Sequence, residues 1–220
     1  MGGLTDRQWI LLQEATWETL YMVGVATLIA VVAGLPLGVL LATTGRGGVF
    51  QMPLLYRVLG IVVNVGRSLP FIILMVAIMP FTRAVAGTTI GTTAAIVPLA
   101  VASIPFFARL VESSLLEVDR GLIEMIQASG GTSVDVVRKA LVPEAVPSLI
   151  RGVTVTLINL IGYSAMAGVI GGGGLGDLAY RFGYQRFEGT VMLWTIIVLL
   201  LLVQVVQWLG DLLARLATRR

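Results

Sequence analysis

A run of glycines at residues 171–176 is the part of the sequence closest in composition to a phosphate-binding loop. Such a loop needs a lysine and a serine or threonine directly after its last glycine, because these residues hold the phosphates and the metal. Asp177 and Leu178 follow instead. The run therefore predicts a flexible or tightly turned loop outside the membrane, and we do not expect this chain to hydrolyse ATP.

The two residue types with the widest catalytic use, cysteine and histidine, do not occur in the sequence. Their absence excludes disulfides, thiol nucleophiles, imidazole general bases and His/Cys metal sites. We therefore predict no metal and no cofactor on this chain, and we predict that it is not an enzyme because it has no nucleotide-binding motif.

A polar face lies within one long apolar stretch. Asn159, Tyr163 and Met166 are three to four residues apart, so one side of a helix carries all three. An amide, a phenol and a flexible thioether suit a narrow gate for an amino acid with an apolar side chain. We predict Met166 as the constriction and Ser164 as a neighbour in the path. Close packing between helices is the alternative, since small residues surround this face.

Arg67 is the charge that lies within or beside an apolar stretch. An arginine at the bilayer centre costs roughly 3 kcal/mol on the insertion scale, which flanking isoleucines and leucines offset in part. Two interpretations remain open. Residues 51–66 run partly along the inner surface and leave Arg67 at the interface beside a break at Pro70, or Arg67 faces an internal water-filled path near Asn64 and Ser68.

Membrane helices must position these residues, because the composition excludes a soluble domain. Of the 220 residues, 57% are hydrophobic and 12% are charged, against roughly 25% charged in soluble domains. Helix is expected because its internal hydrogen bonds satisfy the backbone N–H and C=O groups in lipid. The sequence predicts an all-α membrane protein, a single transmembrane domain over residues 1–220. Five apolar stretches form its spans, at about 19–43, 60–81, 91–111, 152–171 and 190–211.

The charges predict both orientation and energy source. With the N-terminus outside and the C-terminus cytoplasmic, nine basic residues are cytoplasmic and four are outside, as the positive-inside rule requires. The nine are Arg46, Arg57, Arg120, Arg138, Lys139, Arg151, Arg215, Arg219 and Arg220, against Arg7, Arg83, Arg181 and Arg186.

None of the 12 acidic residues lies inside a predicted span, although Asp211 marks the end of the last span. Carriers driven by ion gradients usually hold an acid there, so the pattern argues against that class.

Residues 112–150 form the largest polar segment, which this orientation places in the cytoplasm. A short helix is predicted over about 121–128, and Gly130 and Gly131 then permit a left-handed turn. Thr132 and Asp135 fit a weak capping box that starts a second helix. Two such helices could lie in the lipid headgroups or form a rigid lever that a cytoplasmic partner grips.

The second short helix is predicted to be amphipathic. Val134, Val137 and Leu141 share one face, and charged residues take another. We expect Pro143 to end this helix.

The same segment resembles the bacterial ABC importer membrane subunits. Glu124, Gly130 and the pair Val142-Pro143 are similar to the Glu-Ala-Ala…Gly…Leu-Pro signature of that family, although Met125 and Ile126 replace the two alanines. Four further stretches are similar to the methionine importer permeases, and the likeness extends over about residues 17–215. These stretches are residues 67–74, 78–99, 105–109 and 162–168.

The resemblance implies a multi-pass protein of the bacterial plasma (inner) membrane that imports methionine, D-methionine included. It implies that ATP and magnesium bind to two separate ATP-binding subunits, which dock on residues 112–150. An external substrate-binding protein or lipoprotein would deliver the substrate. The docking residues are expected to be Glu124, Ala128, Gly130, Gly131, Arg138, Val142 and Pro143.

Five helices are few for enclosing a gated path, so we predict a homodimer with the path along its twofold interface. The lipid bilayer is the other expected partner, and no nucleic acid is expected. Two alternatives stay open. The chain could serve an ABC importer of another small polar solute, or it could be an anchoring subunit with no substrate path.

Overall fold

The computed structural model describes residues 4–218, so Arg219 and Arg220 of the predicted cytoplasmic charge lie outside the described residues. Three π-helical stretches, Val137–Leu141, Gly168–Gly172 and Ala179–Gln185, adjoin the α-helices. The predicted all-α fold is confirmed over this range. Its α-helices are α1 (Asp6–Thr44), α2 (Pro53–Ser68), α3 (Phe71–Ala77), α4 (Met79–Ala86), α5 (Thr92–Leu116), α6 (Arg120–Ala128), α7 (Ser133–Val136), α8 (Val142–Ala167), α9 (Gly174–Leu178) and α10 (Gly189–Thr218).

Four helices of the described chain are long and apolar enough to cross a membrane. They are α1, α5, α10 and the 40-residue helix Ser133–Gly172, which contains α7 and α8. A fifth span exists if α2 and α3 are counted together, and these two are bent by 103°. The span predicted at about 60–81 is therefore not one continuous helix, and the break at Pro70 that one of the two interpretations of Arg67 includes is present. Pro70 disfavours helical geometry at Leu69, whose φ of −80° and ψ of 127° are extended.

Pro143 does not end the second short helix, contrary to our prediction. It lies in the first turn of α8, directly after the π-helical stretch Val137–Leu141. There the amide of Val142 bonds to the carbonyl of Val137, five residues back. A proline is tolerated in a first helical turn because its missing N–H is not needed there. The helix consequently runs on from the polar segment into the predicted fourth span.

Small residues let the spans approach closely. A Cβ at Gly38 of α1 would lie 2.5 Å from the carbonyl oxygen of Ala108 on α5. Likewise a Cβ at Gly210 of α10 would overlap the side chain of Thr154 on α8. Close backbone approach between membrane helices depends on such residues. In this arrangement α5 packs on both α1 and α8.

The glycine run forms a tight turn held against α1. Gly171, Gly173 and Gly174 have φ of 91°, 77° and 75°, conformations that favour glycine. The amide of Gly174 donates to Glu18 Oε2 at 2.6 Å, and the amide of Leu175 donates to Thr19 Oγ1 at 2.9 Å. Of the two forms predicted for this run, the tightly turned one is therefore present.

Candidate functional site

The corner between α6 and α7, residues 126–135, is held by local hydrogen bonds. The amide of Gly131 bonds to the carbonyl of Ile126 at 2.9 Å, and the amide of Gly130 bonds to that of Gln127 at 3.0 Å. This pair of bonds, with φ of 81° at Gly130, is a Schellman motif. The capping box predicted at Thr132 and Asp135 is also present. Both ends of the corner are thus fixed in backbone geometry.

Below the corner, α6 packs on the membrane part of the chain. Leu122, Ile123 and Ile126 are half-buried against a core that includes Leu115 and Leu141. Of the residues expected to dock a partner, Glu124, Ala128, Gly130, Arg138 and Pro143 are exposed, and Gly131 and Val142 are half-buried. The corner is therefore packed on the membrane part of the chain and leaves most of the expected docking residues exposed.

Of the predicted apolar face of the second helix, Leu141 and Val137 do pack on the core, but Val134 does not. Val136, Ala140 and Leu141 are the buried residues, whereas Val134 is 52% exposed. A π-helical stretch follows Val136, and its wider turn changes the spacing of the residues that face the core between Val136 and Leu141. Val134 instead lies on the outer surface with Met125, which is 59% exposed. Two open apolar side chains flank the charged residues of the corner.

Polar contacts tie the second helix to its surroundings. Ser133 Oγ donates to the carbonyl of Val49, in the loop after α1, at 3.2 Å. Lys139 Nζ lies 2.6 Å from Asp135 Oδ1, and Thr132 Oγ1 donates to Asp135 Oδ2 at 2.6 Å. The ammonium group of Lys139, aided by Thr132, lowers the pKa of Asp135 below its usual value. Asp135 is thus held as a carboxylate at neutral pH.

The predicted polar face of α8 lies partly open. Asn159 and Tyr163 are half-buried, and Met166 is 47% exposed. A Cβ at Gly162, on the same side, would meet nothing within 4 Å. Ser164 differs, because it is buried and its hydroxyl donates to the carbonyl of Ile161 at 2.7 Å. In this structure Ser164 therefore serves helix packing and does not join the open face.

Arg67 and Tyr163 lie on the wall of one cavity of about 190 Å³. The ring of Tyr163 stacks on Phe71 with centroids 4.6 Å apart and planes 1° apart, and Phe106 completes an aromatic wall. The cavity suits the interpretation in which Arg67 faces an internal path, whereas the bend of 103° beside Pro70 suits the one in which residues 51–66 run partly along the inner surface. Phe71 and Phe106 could not be predicted as lining residues from the sequence, because aromatic residues in an apolar stretch carry no signal of their own.

The other predicted residues of α2 make polar contacts nearby. Ser68 Oγ donates to the carbonyl of Asn64 at 2.7 Å, within α2. The side-chain oxygen of Asn64 accepts from Arg109 Nη2 at 3.0 Å. Arg109 also pairs with Glu112, which is 4% exposed. The spacing of three residues between Arg109 and Glu112 is typical of a helical ion pair and was the available signal for this missed cluster.

Comparison with known proteins gives a consistent answer. Residues 34–219 match the family described as binding-protein-dependent transport system inner membrane component. The chain is 52% identical over 220 residues to the probable D-methionine transport system permease protein MetI of Vibrio cholerae, covering 98% of each chain. It is 52% identical over 158 residues to the D-methionine transport system permease protein MetI of Escherichia coli K12, covering 72% of this chain and 73% of the relative.

Solved structures agree with the sequence comparison. A chain of the MetNI methionine ABC transporter, in inward-facing conformations, superposes with a TM-score of 0.95 at 47% identity, covering 97% of this chain and 99% of that one. A chain of an amino acid ABC transporter with histidines superposes with a TM-score of 0.80 at 19% identity, covering 95% of each chain, a likeness of fold alone.

Proposed function

Because this chain belongs to the family of binding-protein-dependent transport system inner membrane components, we propose that it forms the transmembrane path of a methionine importer. The family makes it a multi-pass inner membrane protein and the membrane component of its system, not the ATPase. The substrate, D-methionine included, is inferred from what the relatives are named for. The predicted orientation, with the N-terminus outside, belongs to the same proposal.

The long helix that begins at Ser133 and keeps helical geometry as far as Val169 is the observation that carries the mechanism. One end forms part of the exposed corner, and the other carries Asn159, Tyr163 and Met166. Two ATP-binding subunits, which hold ATP and magnesium, grip this corner on two copies of the chain. Their closure moves each helix as one body, because a helix transmits displacement along its axis without bending at a loop. ATP binding and the loaded binding protein must favour the same outward state.

The open face of α8 is proposed to line the path along the twofold interface. Met166 forms the constriction, and Tyr163, about one helical turn before it, lies with Arg67 on the wall of the cavity. A guanidinium suits the carboxylate of an amino acid, while the aromatic wall of Phe71 and Phe106 suits a thioether, since sulfur packs well on aromatic rings. The docking surface consists of Glu124, Ala128, Gly130, Gly131 and Arg138, with Val142 and Pro143 where the corner joins α8.

Reconstitution tests this function. The chain is coexpressed with its ATP-binding subunit, placed in liposomes, and supplied with binding protein and labelled methionine. We expect uptake that requires ATP and binding protein together, with faster ATP hydrolysis when methionine is present. Uptake of another small solute in place of methionine would contradict the substrate. Assembly without uptake of any solute would favour the anchoring role instead.

A further inference from the structure

A second, separate cavity lies where α1 ends and α2 begins, at the side of the membrane predicted to be cytoplasmic. Its volume is about 390 Å³, larger than that of the Arg67 cavity, and Arg46, Arg57 and Tyr56 line it together with Glu112. The importer function proposed above uses none of its basic groups.

Backbone hydrogen bonds fix the connection between α1 and α2 beside this cavity. The amide of Phe50 bonds to the carbonyl of Thr43 and that of Met52 to Thr44, each at 3.0 Å. Gly45 lies close beside Tyr56 at the cavity, since a Cβ there would be 3.3 Å from the ring of Tyr56. The loop is therefore folded back on the end of α1, and its arginine is held near that of α2.

The charge of the cavity is positive. Arg46 and Arg57 are exposed, and neither forms an ion pair with another residue of the described range 4–218. Glu112 is the acid on the cavity wall, but Arg109 already neutralises its charge. Two free guanidinium groups across one cavity form a site for an anion with several oxygens, and phosphate is the anion that arginine binds best in this way.

The surroundings of the two arginines are apolar and open. Leu54 is 76% exposed and Val58 is 50% exposed on α2, and Leu116, which lines the cavity, is 63% exposed. A free phosphate ion has no apolar group to pack on this surface, whereas the acyl chains of a phospholipid would cover it. Basic pockets between membrane helices at the cytoplasmic side commonly bind anionic headgroups.

We propose that this cavity binds the phosphate of an anionic phospholipid of the inner leaflet, such as phosphatidylglycerol, between Arg46 and Arg57. The acyl chains lie along Leu54, Val58 and Leu116. The lipid then acts as a wedge between α1 and α2. This site does not depend on which solute the importer carries.

Native mass spectrometry of the full-length chain in detergent tests the site, with phosphatidylglycerol, phosphatidylcholine and inorganic phosphate as probes. We expect phosphatidylglycerol to remain bound and phosphatidylcholine to be lost. The double variant R46Q/R57Q should bind phosphatidylglycerol about 30-fold more weakly, since each arginine near an anionic surface contributes about fivefold. The matched control R151Q/R215Q removes two exposed arginines elsewhere and should bind it as the unaltered chain does.

Three results would overturn the proposal: equal loss in both double variants, equal binding of the two lipids, or displacement of phosphatidylglycerol by millimolar inorganic phosphate. The last would assign the cavity to a free phosphate. The variant R46K/R57K keeps both charges and should keep most of the binding. If R46Q/R57Q does not fold, the single variant R57Q replaces it, with about a fivefold loss expected and the unaltered affinity as the contrary result.

Discussion

The guanidinium group of Arg109 joins two helices, because it donates to the side-chain oxygen of Asn64 across 3.0 Å while it pairs with Glu112 on its own helix. Asn64 belongs to α2, which also carries Arg67. Glu112 lies at the wall of the cavity between α1 and α2. One arginine thus connects the proposed path to the predicted cytoplasmic end of the spans.

Replacing Arg109 by methionine should destabilise the protein by about 3 kcal/mol, since it leaves the buried carboxylate of Glu112 unpaired. The double variant R109M/E112M should recover most of that loss, because no buried charge remains. Thermal unfolding in detergent measures both. R181Q is the control, because it breaks the ion pair between Arg181 and Asp177. The side chain of Arg181 is 59% exposed, and exposed pairs contribute under about 1 kcal/mol. Equal losses in R109M and R181Q would contradict the role of the buried pair.

Asp135 predicts a pH dependence of the corner. Lys139 and Thr132 lower its pKa in the folded chain, so the folded state binds fewer protons than the unfolded one at mildly acidic pH. The stabilisation is therefore complete above the ordinary aspartate pKa of about 4 and is lost as the pH falls toward the lowered folded value. Hydrogen exchange of residues 120–141 should be faster in D135N than in the unaltered chain at pH 7. The difference should shrink at pH 3, and a constant difference would contradict this account.

Local features of the corner could be predicted from the sequence, and distant ones could not. The left-handed turn at Gly130 and the cap at Thr132 depend on residues within five positions of each other, so their types alone signal them. The contact from Arg109 to Asn64 spans 45 residues. It depends on how α2 packs on α5, which the composition of neither helix specifies.

The spans were predictable because bilayer thickness sets their length, and one interpretation of Arg67 included the break at Pro70, but the ends of the helices were not predictable. Pro70 breaks a helix as proline usually does, whereas Pro143 does not, because the π-helical stretch before it places it in a first turn. The cavity that joins Arg67 to Tyr163 likewise required the fold. The aromatic residues of its wall come from three helices, and an aromatic residue in an apolar helix does not indicate that it lines a cavity.

Gly130 should be essential for coupling ATP hydrolysis to transport. Its φ of 81° strains a β-branched residue by roughly 1–2 kcal/mol, so G130V should distort the corner that the ATP-binding subunit grips. Asparagine tolerates this conformation, and G130N should retain coupling. Methionine-dependent ATP hydrolysis in liposomes measures the difference. G24V is the control, because a Cβ at Gly24 meets nothing within 4 Å. Normal coupling in G130V would count against the corner as the docking surface.

Arg67 should bind the carboxylate of the substrate. A charge-assisted hydrogen bond contributes about 1.5–3 kcal/mol, so R67Q should lower methionine uptake by about tenfold or more without changing assembly with the ATP-binding subunit. R83Q serves as the control, since Arg83 is also exposed but lies on α4, away from the cavity. Competition by methionine amide, which lacks the carboxylate, should be weak in the unaltered protein. Strong competition by methionine amide would show that Arg67 does not bind the carboxylate.

Met166 should lie near its own copy across the twofold axis, because a residue that lines a path on that axis meets its equivalent there. The sequence has no cysteine, so M166C introduces one thiol in each copy. A short thiol-reactive linker should join two M166C chains covalently in reconstituted membranes, as judged by gel mobility. L200C is the matched control, since Leu200 is 65% exposed on α10, on a surface that we assign to lipid. Joining of L200C chains as fast as M166C chains would reflect random collision and contradict a path at this interface.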